Sequence, residues 1–138
     1  MMNIQALICD DIRHEINGQT SYIGAYKASR EFAEPPPWSI GRLGVVIFLS
    51  SAGEHVPDSY LVEVRAPNGD SIFTETIHPP REAGENPTAS VTQEVGLLFE
   101  NLEFTAPGNL TVKISVEDVV LYKRALVLAY REEPMESE

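Results

Sequence analysis

The chain has 138 residues, of which 43% are hydrophobic and 22% are charged. These fractions match ordinary folded domains and exclude an intrinsically disordered chain. Acidic residues outnumber basic residues by 21 to 10, and the formal net charge of -11 argues against binding to nucleic acid or to an anionic membrane. The basic residues are scattered along the sequence, so we expect no basic patch. The length predicts one domain over residues 1–131, followed by an acidic, disordered tail at residues 132–138.

Cysteine usage indicates the compartment. Cys9 is the only cysteine, so the chain cannot form an internal disulfide, whereas secreted domains of this size usually carry several. The first eleven residues lack the basic segment of a signal peptide, and the longest apolar stretch, residues 43–49, is too short to span a bilayer. We therefore expect a cytoplasmic protein.

The first half of the chain predicts several strands, with one short helical segment between them. Residues 3–9 predict a strand, and Asn17-Gly18 predicts a hairpin between residues 13–16 and 20–26. Residues 28–34 permit one turn of helix before three prolines stop it. The continuously apolar residues 43–49 predict a strand in the middle of a sheet. On its second face, Val46 and Phe48 would need to be covered by a partner.

The second half alternates apolar and polar residues with the period of two that is typical of half-buried strands. Residues 60–65 and 72–77 predict a hairpin around residues 67–70. Apolar positions change parity near Asn101, which indicates a bulge or turn there. The last two predicted strands, residues 110–116 and 119–130, are joined by a tight turn at Glu117-Asp118. The predicted fold class is all-β: an antiparallel β-sandwich of about eight or nine strands, immunoglobulin-like or jelly-roll-like, with the strand order open.

The densest cluster of reactive residue types lies between residues 9 and 15, where Cys9 and His14 stand near several carboxylates. A nucleophilic cysteine needs a lowered pKa, and the carboxylates after Cys9 would raise it, so we assign no catalytic residue. Asp10, Asp11 and Arg13 remain as candidate binding residues at one end of the sandwich. The competing interpretation is structural, since such carboxylates cap turn N–H groups and pair with arginine.

Other chemistry is poorly supported. The three histidines lie 41 and 23 residues apart and match no compact zinc spacing, and the aspartates form no calcium loop. There is no phosphate loop, dinucleotide fingerprint or nucleophile elbow. We therefore expect no metal and no cofactor.

The run Pro35-Pro36-Pro37-Trp38 has two interpretations. It is either a polyproline ligand for a partner or a crossover connection with the tryptophan packed beneath it.

The N-terminal residues carry a longer pattern. The runs LICDDIRHE at residues 7–15 and GQTSYIGAY at residues 18–26 resemble a bacterial family of uncharacterised proteins that open with C-D-D-x-R-x-E and G-x-x-S-x-I-G-x-Y. The resemblance implies a compact bacterial β domain of the cytoplasm and supplies no catalytic residue. It singles out Asp10, Asp11 and Arg13 as motif positions.

The leading functional hypothesis is a non-enzymatic protein-binding or assembly module, with a protein partner or self-association. It follows from an all-β pattern whose polar residues are dispersed on an acidic chain. The alternative is a small-molecule or metal-dependent enzyme that uses Asp10, Asp11 and Arg13 together with a histidine. A third hypothesis is calcium-dependent attachment to a membrane.

Overall fold

The computed structural model describes residues 2–52, 57–78 and 90–131, and within these ranges the regular secondary structure is entirely β. None of the described residues forms a helix long and apolar enough to cross a membrane. The all-β prediction is confirmed. The described ranges hold ten strands: β1 (Met2–Cys9), β2 (Asp11–His14), β3 (Thr20–Ile23), β4 (Ser29–Phe32), β5 (Trp38–Ala52), β6 (Tyr60–Arg65), β7 (Ser71–Ile77), β8 (Ser90–Phe104), β9 (Gly108–Val116) and β10 (Val119–Tyr130). The predicted tail at residues 132–138 lies outside the described residues.

The strands form two sheets and one separate hairpin. The three-stranded sheet has the order β1-β5-β8, the five-stranded sheet has the order β4-β10-β9-β6-β7, and β2 pairs with β3. In an immunoglobulin-type sandwich, strands A, B and E are neighbours in one sheet, and strands G, F, C and C′ are neighbours in the other. The orders β1-β5-β8 and β10-β9-β6-β7 follow that scheme. Of the two predicted arrangements, the strand order matches the immunoglobulin-like one.

A single hydrophobic cluster joins the two sheets. It contains fully buried side chains from the three-stranded sheet, such as Val45 and Ile47, and from the five-stranded sheet, such as Val62 and Ile114. The residues that alternate with these on β6 and β9 are more exposed. The predicted period of two therefore places one face of each sheet in the core.

Apolar residues change parity near Asn101 as the sequence shows, but the bulge or turn predicted there is not formed, because β5 and β8 keep one register through this point. Ile40 and Leu102 face the core on one side of it, and Leu43 and Phe99 do so on the other, in one continuous β5–β8 register. Asn101 has a φ of 56°, a conformation that asparagine tolerates better than most residues. Both strands therefore switch faces at the same place without an inserted residue.

Arg124 on β10 links the two sheets at their edge. Its guanidinium donates to the carbonyl of Ala6 on β1, and Nη2 donates to the carbonyls of Tyr26 at 2.8 Å and Lys27 at 3.0 Å. The hydroxyl of Tyr122, also on β10, accepts from the N–H of Ala6 at 3.1 Å. The two bonds to Ala6 satisfy backbone groups at the edge of β1 that no neighbouring strand pairs.

The segment at residues 28–34 corrects the sequence-based prediction of a helical turn. It contains β4, which runs parallel to β10 in the register Ser29 to Val127 and Phe32 to Tyr130. Tertiary pairing supplies its backbone partners, because Val127 N donates to the carbonyl of Ala28 at 2.9 Å. A pairing partner so distant in sequence overrides the weak local propensity.

The β2–β3 hairpin covers the outer face of the three-stranded sheet. Ile12 lies over Gly44, where an added Cβ would be 2.9 Å from its Cγ1, and Tyr22 meets Phe48 edge-on at 6.0 Å between ring centroids. Val46 is fully buried as a result. The second face of β5 is therefore covered by a segment of the same chain, where the sequence had suggested a partner.

The turn between β9 and β10 confirms the predicted position and has an uncommon composition. Glu117 and Asp118 have φ angles of 51° and 65°, and Val116 pairs directly with Val119. Two positive φ angles are typical of a type I′ turn, which favours Asn-Gly because other residues are strained in this region.

We expect the double substitution Glu117→Asn and Asp118→Gly to raise the free energy of unfolding by about 1 kcal/mol, because it relieves this strain. Urea denaturation measures the change. The control E34Q/E103Q also removes two negative charges, but from exposed sites outside the turn. It should leave the urea midpoint nearly unchanged. Equal midpoints for the turn variant and wild type would contradict the assignment of strain.

Candidate functional site

The predicted site residues surround the point where β1 gives way to β2. Asp10 lies between the two strands, and its N–H donates to the carbonyl of Ile23 at 2.8 Å. Asp11 and Arg13 lie on β2. The two adjacent carboxylates have different partners, and each partner set holds a different part of the chain.

Asp10 belongs to a cluster with Tyr26 and Arg30. The hydroxyl of Tyr26 donates to Oδ1 of Asp10 and accepts from Nη1 of Arg30 at 2.9 Å. Arg30 also lies 3.7 Å from Asp10, and its guanidinium stacks 5.1 Å from the ring centroid of Phe32. Gly24 has a φ of +70°, and a Cβ there would come within 2.4 Å of Asp10 Oδ2. A side chain at position 24 would therefore displace the carboxylate.

Asp11 fastens the hairpin to the three-stranded sheet. Its two oxygens each accept from Nη1 of Arg42 at 3.3 Å, and Arg42 Nη2 reaches Glu100 at 3.3 Å, so one arginine bridges β2, β5 and β8. Asp11 Oδ1 also accepts from the N–H of Ile12 at 2.9 Å, which is the capping role weighed from the sequence. The side chain of Arg13 lies 3.9 Å from Asp11 and is 65% exposed, so the closer arginine partner of Asp11 is Arg42.

Each of the three predicted binding residues thus has an intramolecular role, and their binding of a partner stays a prediction. His14 is exposed on β2, and His78 lies in another part of the fold, 3.4 Å from the carbonyl of Asp58. Within the described ranges, no three His, Cys, Asp or Glu side chains come together as metal ligands. His55 lies outside the described residues.

The thiol of Cys9 is buried beside the hairpin and donates to the carbonyl of Asp11 at 3.4 Å. Burial raises the pKa of the Cys9 thiol, the hydrogen bond to the carbonyl of Asp11 partly offsets this rise, and the negative charges of Asp10 and Asp11 add to it. Because the thiolate is the reactive form, this environment suits a structural cysteine.

The Pro-rich connector joins two aromatic residues that stack on each other. Trp38 is 5% exposed and stacks on Phe32 at 4.2 Å between ring centroids. Its Nε1 donates to the carbonyl of Glu34 at 2.7 Å. Of the two interpretations of Pro35-Pro36-Pro37-Trp38, the structure matches the crossover with the tryptophan beneath it.

The four sheet edges differ in how they are protected. Natural proteins usually block an exposed edge strand by capping it, keeping it short, or adding charges, lysine or proline. The β1 edge is capped by Tyr122 and Arg124, and by the N–H of Tyr26, which donates to the carbonyl of Ile8 at 2.8 Å. β4 has only four residues, and β7 carries Glu75 opposite the buried Val62, on its core-facing side.

Among the described residues, the only one of these protections that the β8 edge has is the charge of glutamates on its outer face. It runs for 15 residues, contains neither lysine nor proline, and pairs with β5 alone. Its outer face presents Leu98, which is 44% exposed, between the acidic residues Glu94 and Glu100. β8 is therefore a long strand edge with an acidic face.

A second surface lies on the outer face of the five-stranded sheet. Three basic side chains, Arg65, Lys113 and Lys123, line one cleft there together with Glu63 and Thr111. They come from β6, β9 and β10, so their positions in the sequence do not reveal the cluster. The expectation of scattered cations without a patch is wrong at this place.

Comparison with protein families places the chain among known sequences. The sequence model of a family of unknown function, DUF6941, matches residues 4–129. The chain belongs to this family. The match extends from β1 into β10, so membership in DUF6941 does not depend on the N-terminal pattern alone. None of the curated proteins that were compared matches the chain.

Membership in DUF6941 confirms the expected uncharacterised family and assigns no activity. The bacterial origin implied by the resemblance stays a prediction. Sequence reasoning located Asp10 and Asp11 but missed Tyr26, Arg30 and Arg42, their partners. The one available signal was the placement of Tyr26 inside the second half of the N-terminal pattern.

The hairpin contact of this DUF6941 member can be tested with two glycines of β5. We expect Gly44→Ala to lower the free energy of unfolding by about 2 kcal/mol, because the new methyl group would overlap Ile12 and the Cys9 thiol. Gly41→Ala is the matched control, since a Cβ there meets no atom within 4 Å. Similar urea midpoints for the two variants would show that the hairpin does not rest on Gly44.

The Asp10 cluster predicts an alkaline response. Burial, and then the hydrogen bond to Asp10, raises the pKa of Tyr26 to about 12. Since the folded pKa lies above the unfolded value of about 10, the contribution of Tyr26 is complete below pH 10 and is lost as the pH rises toward 12. We expect the free energy of unfolding to fall less for Tyr26→Phe than for wild type as the pH rises from about 9 to about 11, because phenylalanine has no hydroxyl group to ionise. Urea unfolding at both values measures this, and Tyr130→Phe, at an exposed site, should behave as wild type.

Proposed function

We propose that this protein is a non-enzymatic protein-binding module of the bacterial cytoplasm that takes up an extended segment of a partner protein along β8. The observation that carries the proposal is the contrast between β8 and the other three sheet edges. An unpaired edge offers a row of N–H and C=O groups, and partner strands are commonly recognised by pairing with such groups.

The side chains of β8 determine the partner's chemistry. Glu94, Glu100 and Glu103 are exposed on this strand, which contains no lysine or arginine, and Glu100 is paired with Arg42 of β5 at 3.3 Å. A partner segment with lysine or arginine at alternate positions would place these groups on the same face as the carboxylates. A second copy of this chain carries the same formal charge of -11, and repulsion between copies disfavours self-association.

The residues of the enzyme alternative are already engaged. Asp10 and Asp11 bind separate arginines, Arg30 and Arg42, and each pair holds elements of the fold together. These contacts favour a structural role and support a binding function elsewhere on the surface.

The experiment compares two lysine substitutions at equally exposed apolar sites. Leu98 on the β8 edge is 44% exposed, and Val127 on the outer face of β10 is 42% exposed. We expect Leu98→Lys to weaken partner binding at least about tenfold, because lysine blocks an edge strand and repels a basic segment. Val127→Lys should bind as wild type, and both variants should unfold within about 0.5 kcal/mol of wild type.

Tagged wild-type and variant proteins are incubated with native cell extract in reducing buffer, and the proteins lost only from L98K are purified. Their affinity is then measured directly, and amide hydrogen exchange maps the bound region. The proposal requires new protection in residues 93–104. Partners that bind L98K and wild type equally, or protection confined to other strands, would overturn it.

A further inference from the structure

The basic cleft on the five-stranded sheet is unusual in so acidic a chain. Its volume is about 150 Å³, and its lining holds three cations and one carboxylate: Arg65, Lys113, Lys123 and Glu63, with the hydroxyl of Thr111. The whole chain has a formal charge of -11, so this cleft reverses the overall sign locally. A positive cleft on an acidic surface favours an anionic ligand.

The sheet register brings the charges together. Lys113 on β9 lies directly opposite Lys123 on β10, and on its other side it lies opposite Glu63 on β6. Like charges that face each other across a ladder are destabilising. The fold therefore retains an unfavourable pair at the centre of this face.

One carboxylate serves two of the three cations. Glu63 contacts Nη2 of Arg65 at 3.1 Å and Nζ of Lys113 at 3.3 Å, and its side chain is 12% exposed. The hydrogen bonds from Arg65 and Lys113 lower the pKa of Glu63, so it is ionised at neutral pH. Lys123 makes no ion pair with any residue in the described ranges. A bound anion would supply a counter-charge to Lys123.

We propose that this cleft binds the phosphate group of a small phosphorylated molecule. Arginine presents a planar set of donors that suits phosphate oxygens, lysine adds point charges, and the threonine hydroxyl adds a further donor. Hydrogen bonds between such cations and phosphate are stronger than those between neutral groups.

The adjoining cleft indicates the rest of the ligand. It has a volume of about 280 Å³, shares Glu63 and Lys113 with the first cleft, and its lining includes the hydroxyl-bearing residues Ser59, Thr76 and Ser115. Glu117 and Asp118 also line it. These carboxylates would repel a second phosphate and accept hydrogen bonds from hydroxyl groups. The ligand class is therefore a phosphomonoester of a hydroxylated molecule, such as a sugar phosphate.

This inference does not rest on the proposed function. The phosphate cleft lies on the outer face of β6, β9 and β10, whereas the partner segment would pair with β8 in the other sheet. Phosphate binding and binding of the partner segment can therefore be lost independently, and each is tested by its own experiment.

The test titrates inorganic phosphate, glucose 6-phosphate and glucose into the ¹⁵N-labelled full chain at constant ionic strength. We expect amide shifts in residues 61–65, 111–115 and 123, and tighter binding of glucose 6-phosphate than of inorganic phosphate.

Lys123→Gln should weaken phosphate binding about tenfold, as expected for one charge-assisted hydrogen bond. Lys27→Gln, which removes an exposed lysine elsewhere, should bind as wild type.

Lys123→Glu separates a ligand role from a structural one. It places a carboxylate opposite Lys113, so the urea midpoint should stay equal or rise, while phosphate binding should be abolished. Absence of phosphate binding by wild type, or equal binding by K123Q, K27Q and wild type, would overturn the site. Equal affinity for glucose 6-phosphate and inorganic phosphate would overturn the assignment of the adjoining cleft to the sugar.

Discussion

The contact on which the rest of the arrangement depends is the guanidinium of Arg124. It lies at the boundary of the two sheets and donates to the carbonyl of Ala6 on β1 and to two carbonyls in the segment before β4. Three accepting carbonyls satisfy most of the donors of one guanidinium. Without it, one carbonyl at the β1 edge and two carbonyls of the segment that leads into β4 would lose this partner.

This arrangement gives the N-terminal pattern a physical meaning. With the β1 edge closed, the chain turns at Asp10 and places the β2–β3 hairpin on the outer face of β5. Gly44 leaves room for Ile12, and Arg42 pairs with Asp11 above it. The motif residues thus build a second layer over the smaller sheet, and β8 is left as its open edge.

The sequence predicts what is encoded locally. Asn17-Gly18 and the turn at residues 67–70 fix two hairpins through residues that tolerate positive φ, and the period of two identifies the buried faces of β6 and β9. Features formed by distant partners are not visible in this way. β4 needs β10 as a partner, and the cleft of Arg65, Lys113 and Lys123 exists only when three strands are aligned in register. Asp10 and Asp11 were recognisable as residues, but their arginine partners could not be assigned without the fold.

The bonds between Ala6 and Arg124 also affect how the chain is made. Residue 6 leaves the ribosome long before residue 124, since the two are 118 positions apart. At ordinary synthesis rates the delay is on the order of ten seconds. During this interval the β1 edge has neither Arg124 nor Tyr122 to close it, and β4 has no β10 to pair with. The nascent chain therefore exposes the open edge of β1 and an unpaired β4 until β10 is made, and its dependence on chaperones should be greatest before β10 emerges.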